Sequence, residues 1–388
     1  MSRNISVGID VGTYAVRVVV SEFGKGDLGP KILGIGGSES KGLRHGYIAN
    51  IEEATKSIIK AVSEAERNSG VKIRKAIISV SGISLCSELS YGSTVITRAD
   101  GEVTYLDVNK ALNESEKKLQ IINKRVIHII PISYKLDGKE IMSRPESMKG
   151  IKLEVKTLFI NSLEQHLEDL ITSVTNANIE VLDVIAGPLA ASLISLSDKQ
   201  KIAGCVLVDI GAETVSIAIF ENGNIIALHV FSIGSTDITN DIALGFKVPL
   251  EEAEAIKMGN DLNNYSKKKM EQIIEARLKD IFELIDNYLK KIKRSELLPA
   301  GVIIIGGGAN TKFVEEISRS ILKLPTKILT PDMFGGLKNK VKNSSWFTAL
   351  GLCIAGKDSA GDVSYNSIRR FFFGLKNFIK NIGRQLMP

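Results

Sequence analysis

The stretch ISVGIDVGTYAVRVVVSE, from Ile5 to Glu22, decides the fold of this chain. Its apolar run ends at Asp10, a turn with Gly12 and Thr13 follows, and valines then recur at every second position. A period of two on both sides of a tight Asp-Gly turn is typical of a β-hairpin. The sequence therefore predicts strand, tight turn and strand at the start of the chain.

The same pattern occurs a second time. The segment VLVDIGAETVSIAIFE, from Val206 to Glu221, also ends an apolar run with an aspartate and continues through a turn with glycine and threonine. Asp10 and Asp209 are 199 residues apart, which favours a duplicated fold of two similar halves. One such turn alone is equally consistent with an ordinary hairpin, whereas two matched copies favour a shared binding site.

A shared site of this kind suits phosphate and magnesium. Glycine at positions 12 and 211 lets the backbone approach a ligand closely, and consecutive N–H groups of a turn form a concavity for phosphate oxygens. Two aspartates that face each other across a cleft would hold hydrated Mg²⁺. A third element, GVIIIGGGANTKFVEEISRSIL from Gly301 to Leu322, predicts a buried strand, a glycine loop and a helix whose N-terminus favours anions. The loop is neither a Walker A nor a Rossmann motif.

This order of elements is that of the actin/Hsp70/sugar-kinase superfamily, within which the chain resembles the FtsA family of bacterial cell-division proteins along nearly its whole length. SKGLRHGYIANIEEATKSIIKAVSEAE, from Ser40 to Glu66, resembles that family's stretch after the first hairpin. RPESMKGIKLEV, from Arg144 to Val155, resembles its D-P-x-G-M-S-G-x-R-L-E-V signature. The resemblance implies an α/β actin-like ATPase fold with two duplicated lobes around a nucleotide cleft, an inserted small α/β subdomain and a C-terminal amphipathic helix.

The resemblance also implies how the chain is divided. The expected parts are a first-lobe core (1–80, 160–200 and 335–356), an inserted FtsA-type subdomain (81–159), a second-lobe core (201–247 and 299–334), a helical subdomain of the second lobe (248–298), a linker (357–367) and a membrane-targeting helix (368–388). The nearly all-apolar segment IAGPLAASLISL, from Ile185 to Leu196, is predicted to be a buried helix that connects the lobes.

ATP and Mg²⁺ are the cofactors that the resemblance implies. EEAEAIKMGN, from Glu251 to Asn260, resembles the helix that brings a Glu and a Lys to the adenosine in MreB-like and FtsA-like proteins, although a solvated helix face would read the same. Asp10 and Asp209 would hold the metal through water. The expected nucleotide contacts are Asp10, Gly12, Thr13, Tyr14, Asp209, Gly211, Ala212, Glu213, Thr214, Glu254, Lys257, Gly306, Gly307 and Gly308.

Departures from the family pattern argue against fast hydrolysis. The second loop usually reads D-I-G-G-G-T-T-D, but Ala212 and Glu213 replace two glycines here, and a carboxylate beside a triphosphate is repulsive unless it points away or meets a metal. Ala15 stands where many members have a lysine, and Gly187 precedes Pro188 where MreB-like proteins have an acid. General-base assistance contributes about 10² to 10⁴ in rate. We expect a switch or filament subunit and at most a slow Mg-dependent ATPase.

The end of the chain, RRFFFGLKNFIKNIGRQLMP from Arg369 to Pro388, carries most of the net charge of +6. Its bases are Arg369, Arg370, Lys376, Lys380 and Arg384, and without them the chain is close to neutral, which gives little support for a nucleic-acid surface. On a helical wheel, one apolar stripe contains Ile368, Phe371, Phe372, Leu375, Phe378, Ile379, Ile382 and Leu386. This pattern predicts a basic amphipathic helix in a membrane interface. A helix docked on the protein's own core, or in a partner's groove, remains an alternative.

The expected function follows from the resemblance and the tail together. It is an ATP-binding, filament-forming actin homologue that tethers the tubulin-like FtsZ ring to the cytoplasmic face of the cell membrane, as a peripheral protein at the division site. The partners would be the FtsZ C-terminal peptide on the helical subdomain, further copies of the chain, anionic lipid and other division proteins, with no nucleic acid. The alternative is a PilM-like pilus-assembly adaptor, whose second loop often reads D-I-G-A but which is not expected to carry the basic tail.

Overall fold

The computed structural model describes residues 4–24, 30–120, 122–141, 143–260, 265–331, 341 and 343–358. The predicted membrane helix (368–388) and all but the first two residues of the predicted linker (357–367) lie outside the described residues. Within the described ranges, no helix is both long enough and apolar enough to cross a bilayer.

The described elements alternate between strands and helices along the chain. The strands are β1 (Asn4–Val11), β2 (Ala15–Phe23), β3 (Lys31–Glu39), β4 (Leu43–Arg44), β5 (Tyr47–Ile48), β6 (Lys75–Val80), β7 (Cys86–Val95), β8 (Lys124–Leu136), β9 (Lys139–Ile141), β10 (Lys152–Leu163), β11 (Glu180–Ala186), β12 (Cys205–Ile210), β13 (Val215–Glu221), β14 (Asn224–Phe231), β15 (Gly301–Ile305) and β16 (Thr326–Ile328). The helices are α1 (Ile51–Ser69), α2 (Tyr105–Lys117), α3 (Glu164–Asn176), α4 (Gly187–Ser195), α5 (Asp198–Ala203), α6 (Ser235–Phe246), α7 (Leu250–Lys257), α8 (Lys267–Lys291), α9 (Val314–Leu322) and α10 (Phe347–Ala355).

Two five-stranded sheets share one plan. The first has the order β11-β6-β1-β2-β3 and the second the order β16-β15-β12-β13-β14. In each sheet the predicted hairpin is antiparallel, a third antiparallel strand follows it on one side, and a parallel strand lies on the other. The duplicated fold is therefore present in the strand order as well as in the two sequence motifs.

The two sheets bury their apolar residues in a partly common core. Leu207 and Ile303 of the second sheet belong to the same buried cluster as Val18 and Phe347 of the first lobe. The opposite face of the second sheet packs in a separate cluster with α8, which includes Phe282. Apolar burial is the main favourable term in folding. The common core therefore holds the two sheets together.

The connection between the lobes differs slightly from the prediction. Ile185 and Ala186 complete strand β11, and the helix α4 begins only at Gly187. The predicted start of the helix was therefore wrong by two residues, because Pro188 favours the first turn of a helix and leaves the preceding residues extended. α4 crosses α10 so closely that a Cβ added to Gly351 would lie 1.9 Å from the carbonyl oxygen of Ala190.

A four-stranded antiparallel sheet of order β7-β10-β8-β9 is inserted between β6 and α3. Helix α2 covers one face of it, so that Val108 and Ala111 pack with Leu153 and Val155. Strand β10 continues to Leu163, four residues beyond the expected end of the insertion at 159. This sheet also reaches the second lobe, which fixes its position relative to the cleft.

Two hydrogen bonds between Ser87 and Leu228 contribute to the contact between the inserted sheet and the second lobe. The Ser87 Oγ donates to the carbonyl of Leu228 at 3.1 Å and accepts from the N–H of the same residue at 2.7 Å. Leu228 belongs to β14, the edge strand of the second sheet. A side chain thus occupies backbone groups that would otherwise be open for strand pairing.

The segment from 248 to 298 contains the helices α7 and α8, as its charge and apolar pattern indicate. The buried face of α8 repeats at helical spacing, with Met270, Ile274, Leu278, Ile281, Phe282, Ile285 and Leu289. Arg277 on the same helix pairs with Asp241 of α6 through two hydrogen bonds of 2.7 and 2.9 Å. The helices thereby form one layer on the outer face of the second sheet.

Candidate nucleotide cleft

A cleft of about 460 Å³ opens between the lobes, where the two hairpin turns face each other. The glycine turn after β15 and the end of α7 complete its walls. Its lining includes the predicted residues Asp10, Gly12, Thr13, Tyr14, Asp209, Gly211, Ala212, Thr214, Glu254, Lys257, Gly306, Gly307 and Gly308. Residues from four separate parts of the sequence are therefore brought to one cavity.

Asp10 and Asp209 form a pair of buried carboxylates in this cleft. Burial raises the pKa of Asp10, while Arg17 and a 2.7 Å hydrogen bond from Ser79 Oγ lower it. Burial, together with the charge of Asp10, raises the pKa of Asp209 to about 7, against the effects of Arg17 and a hydrogen bond with Thr348. Two like charges in a buried site favour the binding of a cation.

The donor set fits a magnesium ion that keeps its water. No group of three or more His, Cys, Asp or Glu side chains able to hold a metal is found among the described residues. Mg²⁺ is usually bound through one or two carboxylates together with water and substrate phosphates, so Asp10 and Asp209 suffice. The ion would neutralise phosphate charge when a nucleotide is bound.

Arg17 brings a positive charge to the cleft. It lies two residues beyond Ala15 on β2, and alternate residues of a strand share a face. Its guanidinium lies 5.9 Å from the centre of the Trp346 ring and lowers the pKa of both buried aspartates. The charge that many family members have at the position of Ala15 is absent, but Arg17 brings another positive charge to the cleft lining.

The glycine turn after β15 packs directly against the second aspartate. Gly306 has a φ of +95°, and a Cβ there would lie 2.3 Å from Asp209 Oδ1, so that only glycine fits. The residues after it, Gly307–Asn310, form a short 3₁₀ turn, and the α-helix starts only at Val314. The predicted glycine loop is thus present, but it opens a tighter turn and not the α-helix itself.

Glu254 and Lys257 lie together on α7 and face the cleft. Lys257 Nζ is 2.6 Å from Glu254 Oε2 and donates to Thr239 Oγ1 at 2.8 Å. The Lys257 side chain is only 9% exposed, against 41% for Glu254. Lys257 is therefore not part of a freely solvated helix face, because its ammonium group is held between polar groups of the second lobe.

Glu213 is the one expected contact that does not line the cleft. Its carboxylate accepts a hydrogen bond of 2.5 Å from the main-chain N–H of His45, in the first lobe. The charge of Glu213 therefore points away from the cleft, so it would not repel a phosphate bound there. The position of the side chain depends on a residue 168 positions away, so no local pattern indicates it.

Sequence reasoning also missed several residues of the lining. Thr348, at the start of α10, hydrogen-bonds Asp209, and Lys312 follows the glycine turn. Lys312 could have been found, because it stands four residues after the glycines in the quoted segment. Thr348 carries no comparable signal, since it lies in an otherwise apolar helix.

The fold and the cleft define an actin-like ATPase fold. A chain of the PilM–PilN type IV pilus biogenesis complex superposes with a TM-score of 0.68 at 16% identity, covering 91% of this chain and 98% of that chain. MreB5 of Spiroplasma citri bound to ADP superposes with a TM-score of 0.52 at 14% identity, covering 91% and 96%. At such identities these structures show the fold alone.

The family is shown by sequence. The family model described as cell division protein FtsA matches residues 206–351, and the model described as the SHS2 domain inserted in FTSA matches residues 84–161. The cell division protein FtsA of Bacillus subtilis is 29% identical over 373 residues, which cover 90% of this chain and 83% of the relative. FtsA of Pseudomonas aeruginosa is 29% identical over 384 residues, covering 93% and 91%. The chain belongs to the FtsA family, which confirms the resemblance drawn from its motifs.

Proposed function

We propose that this member of the FtsA family binds ATP with Mg²⁺ between its lobes and uses the bound state to control assembly on the membrane. The observation that carries the proposal is the meeting of the two matched turns, with Asp10 and Asp209 in one cleft. The MreB5 relative of the same fold is described with ADP and, in a second structure, with AMPPNP. Nucleotide binding is therefore the function that this cleft serves best.

Each wall of the cleft has a part in this proposal. The turn N–H groups around Gly12 and Gly211 would donate to phosphate oxygens, and Arg17 would neutralise their charge. Glu254 and Lys257 would meet the adenosine, as the resemblance implies. The glycine turn leaves room for a ligand at Gly307, because nothing lies within 4 Å of the position that a Cβ would take there.

Slow hydrolysis is part of the proposal. The acids among the described residues that line the cleft are Asp10, Asp209 and Glu254. At the start of α4, Gly187 packs against Ser81 Oγ, so that this wall presents no carboxylate to orient a water molecule. Without such a base the chain would act as a switch with at most slow Mg-dependent ATPase activity.

The single tryptophan allows a direct test of nucleotide binding. Arg17 lines the cleft and its guanidinium makes a cation–π contact with Trp346, so the fluorescence of this tryptophan reports on that wall. We expect a saturable change when ATP is added in the presence of Mg²⁺, and a weaker response with EDTA. Calorimetric titration that detects no ATP binding by the folded protein would contradict the proposal.

We also propose that the tail from 368 to 388 attaches the protein to anionic lipid as an amphipathic helix. Each base near an anionic surface contributes about 1 kcal/mol, and several tails in a filament would bind together more tightly than one. Co-sedimentation with phosphatidylglycerol vesicles should retain the full chain and lose a version ending at Ser367. Equal binding of the two versions, or binding of neither, would show that the anchor is elsewhere.

The partner proposal concerns FtsZ and the layer that contains α7 and α8. By membership of the family, the FtsZ C-terminal peptide would bind this layer, and the chain would recruit other division proteins at the cytoplasmic face of the membrane. Fluorescence anisotropy with a labelled FtsZ C-terminal peptide measures this directly. Absence of binding by the intact protein would count against the FtsZ link and leave the nucleotide proposal unaffected. The PilM-like alternative gains no support, since that likeness shows the fold alone.

A further inference from the structure

One short turn of the first lobe contacts the second lobe beside the cleft. The turn joins β4 to β5 and consists of His45 and Gly46. The N–H of Gly46 donates to Thr13 Oγ1 at 3.1 Å, in the turn between β1 and β2. The N–H of His45 donates across the lobes to Glu213 Oε2 at 2.5 Å. Neighbouring amides of one turn thus contact the two hairpin turns that face the cleft, one in each lobe.

Further contacts hold the same turn in place. The Nδ1 of His45 lies 3.3 Å from Ser232 Oγ and 4.0 Å from the Glu213 carboxylate, both in the second lobe. Gly46 has a φ of +79°, and a Cβ there would lie 2.5 Å from the Cα of Gly82, which itself lines the cleft. The turn is packed too tightly to shift alone, so its bond to Glu213 depends on the distance between the lobes.

The carboxylate of Glu213 has different surroundings if the lobes separate. It stands between Ala212 and Thr214, which both line the cleft. While His45 holds it, the charge is kept from the phosphate region and receives a charge-assisted hydrogen bond. Without that bond, the charge would be free to turn towards bound phosphates and repel them.

We propose that Glu213 is a positioning residue that keeps the lobes closed over the nucleotide and slows its release. The proposal rests on the proposed nucleotide function and adds a release control to it. Closure and retention are coupled because one carboxylate either bonds the opposite lobe or faces the ligand.

Hydrogen exchange of the intact protein tests the contact itself, without nucleotide. The variants are Glu213→Ala, which removes the acceptor, Glu213→Gln, which keeps an acceptor oxygen, and Glu315→Gln on the exposed face of α9 as a matched control. We expect peptides that cover residues 43–48 to exchange faster in Glu213→Ala only. Equal exchange in Glu213→Ala and the unmodified chain would overturn the contact.

Release of mant-ATP, chased with excess ATP, tests the role. A hydrogen bond to a charged group is strong enough that its loss should accelerate release about tenfold or more. Glu213→Gln should restore most of the retention, and Glu315→Gln should match the unmodified chain. An unchanged release rate in Glu213→Ala would overturn the positioning role. If no version binds mant-ATP, the proposed nucleotide function and this role both fall, whereas the exchange experiment still decides whether the contact exists.

Discussion

At the scale of single residues, the pair Asp10 and Asp209 sets the electrostatics of the molecule's centre. Both carboxylates have a raised pKa because burial penalises their charged forms. A folded-state pKa above the unfolded value means that the folded protein binds protons more tightly, so stability decreases as the pH rises from about 4 towards 7. Without a cation, the folded protein therefore loses stability across this range.

Replacing Asp209 with Asn should remove much of this pH dependence. We expect the nucleotide-free variant to melt at a higher temperature than the unmodified chain at pH 8, and the difference to shrink at pH 5. The variant should also lose the Mg²⁺ dependence of ATP binding. Thermal melts between pH 5 and 8 measure the first effect, with Asp280→Asn on the exposed side of α8 as the control. If the melting temperatures of Asp209→Asn and the unmodified chain decreased equally between pH 5 and 8, Asp209 would not be the source of the pH dependence.

Arg17 should matter to nucleotide affinity more than the sequence suggested. Arg17→Ala removes a charge-assisted contact, so we expect ATP affinity to fall about ten- to a hundred-fold, and Arg17→Lys to recover part of it. Calorimetry is the appropriate measurement, because the substitution also removes the cation–π contact with Trp346 and would change its fluorescence directly. Arg319→Ala serves as the control, because Arg319 is exposed and forms an ion pair only with Glu315 of its own helix among the pairs that the structure describes. Unchanged affinity in Arg17→Ala would exclude the residue from phosphate binding.

Local pattern was sufficient for the turn residues but not for the direction of every side chain. Gly12 and Gly211 could be predicted because each lies in a hairpin whose strands and turn are contiguous in sequence. The orientation of Glu213 could not be predicted, because the N–H that donates to its carboxylate belongs to His45 in the other lobe. Arg17 was within reach, because the period of two places it on the same face as Ala15.

At the scale of elements, the helices α4 and α10 of the first lobe cross through direct backbone contact. Gly351→Ala would place a methyl group 1.9 Å from the Ala190 carbonyl oxygen, so that the helices must move apart. Overpacking of this kind costs about 1 to 3 kcal/mol of unfolding free energy. Urea denaturation followed by circular dichroism measures it.

Gly245→Ala provides the matched comparison for that experiment. This glycine also lies in a helix, but a Cβ there meets only the flexible end of the Ile273 side chain, at 2.6 Å. Alanine is favoured over glycine in helices by about 0.5 to 1 kcal/mol, so we expect little loss. Equal destabilisation by the two substitutions would contradict the crossing argument.

Elements with local periodicity were predictable, while the late start of α4 depended on the preference of Pro188.

At the scale of the whole molecule, Ser87 is one of the residues that attach the inserted sheet to the second lobe. Ser87→Ala would leave the N–H and C=O of Leu228 without their side-chain partner. Leaving such groups unsatisfied costs about 1 to 3 kcal/mol. We expect faster hydrogen exchange in β14 with unchanged ATP affinity, and no change for Ser93→Ala on the same strand, where the residue faces Glu154. Unaltered exchange in β14 would show that other contacts hold the insertion.

The placement of the inserted sheet could not be predicted from the sequence. Its strands and the helix α2 follow local patterns, but its attachment includes hydrogen bonds between residues 141 positions apart. The duplicated lobes were predictable because the same motif is present in both halves of the chain. Arrangement between parts thus needs long-range contacts that no single segment contains.

The packing of α10 against β1 has a consequence for how the protein is made. A Cβ on Gly8 of the first strand would lie 2.3 Å from the Ala349 carbonyl oxygen, so the last described helix is seated directly on the first strand. A ribosome that has synthesised only the first two hundred residues has produced every strand of the first sheet, but not the helix that covers this face. The apolar surface of β1 stays exposed until about residue 355 has left the exit tunnel. Until then the nascent chain exposes apolar surface that favours aggregation, and the first lobe completes its folding only after the second lobe has been synthesised.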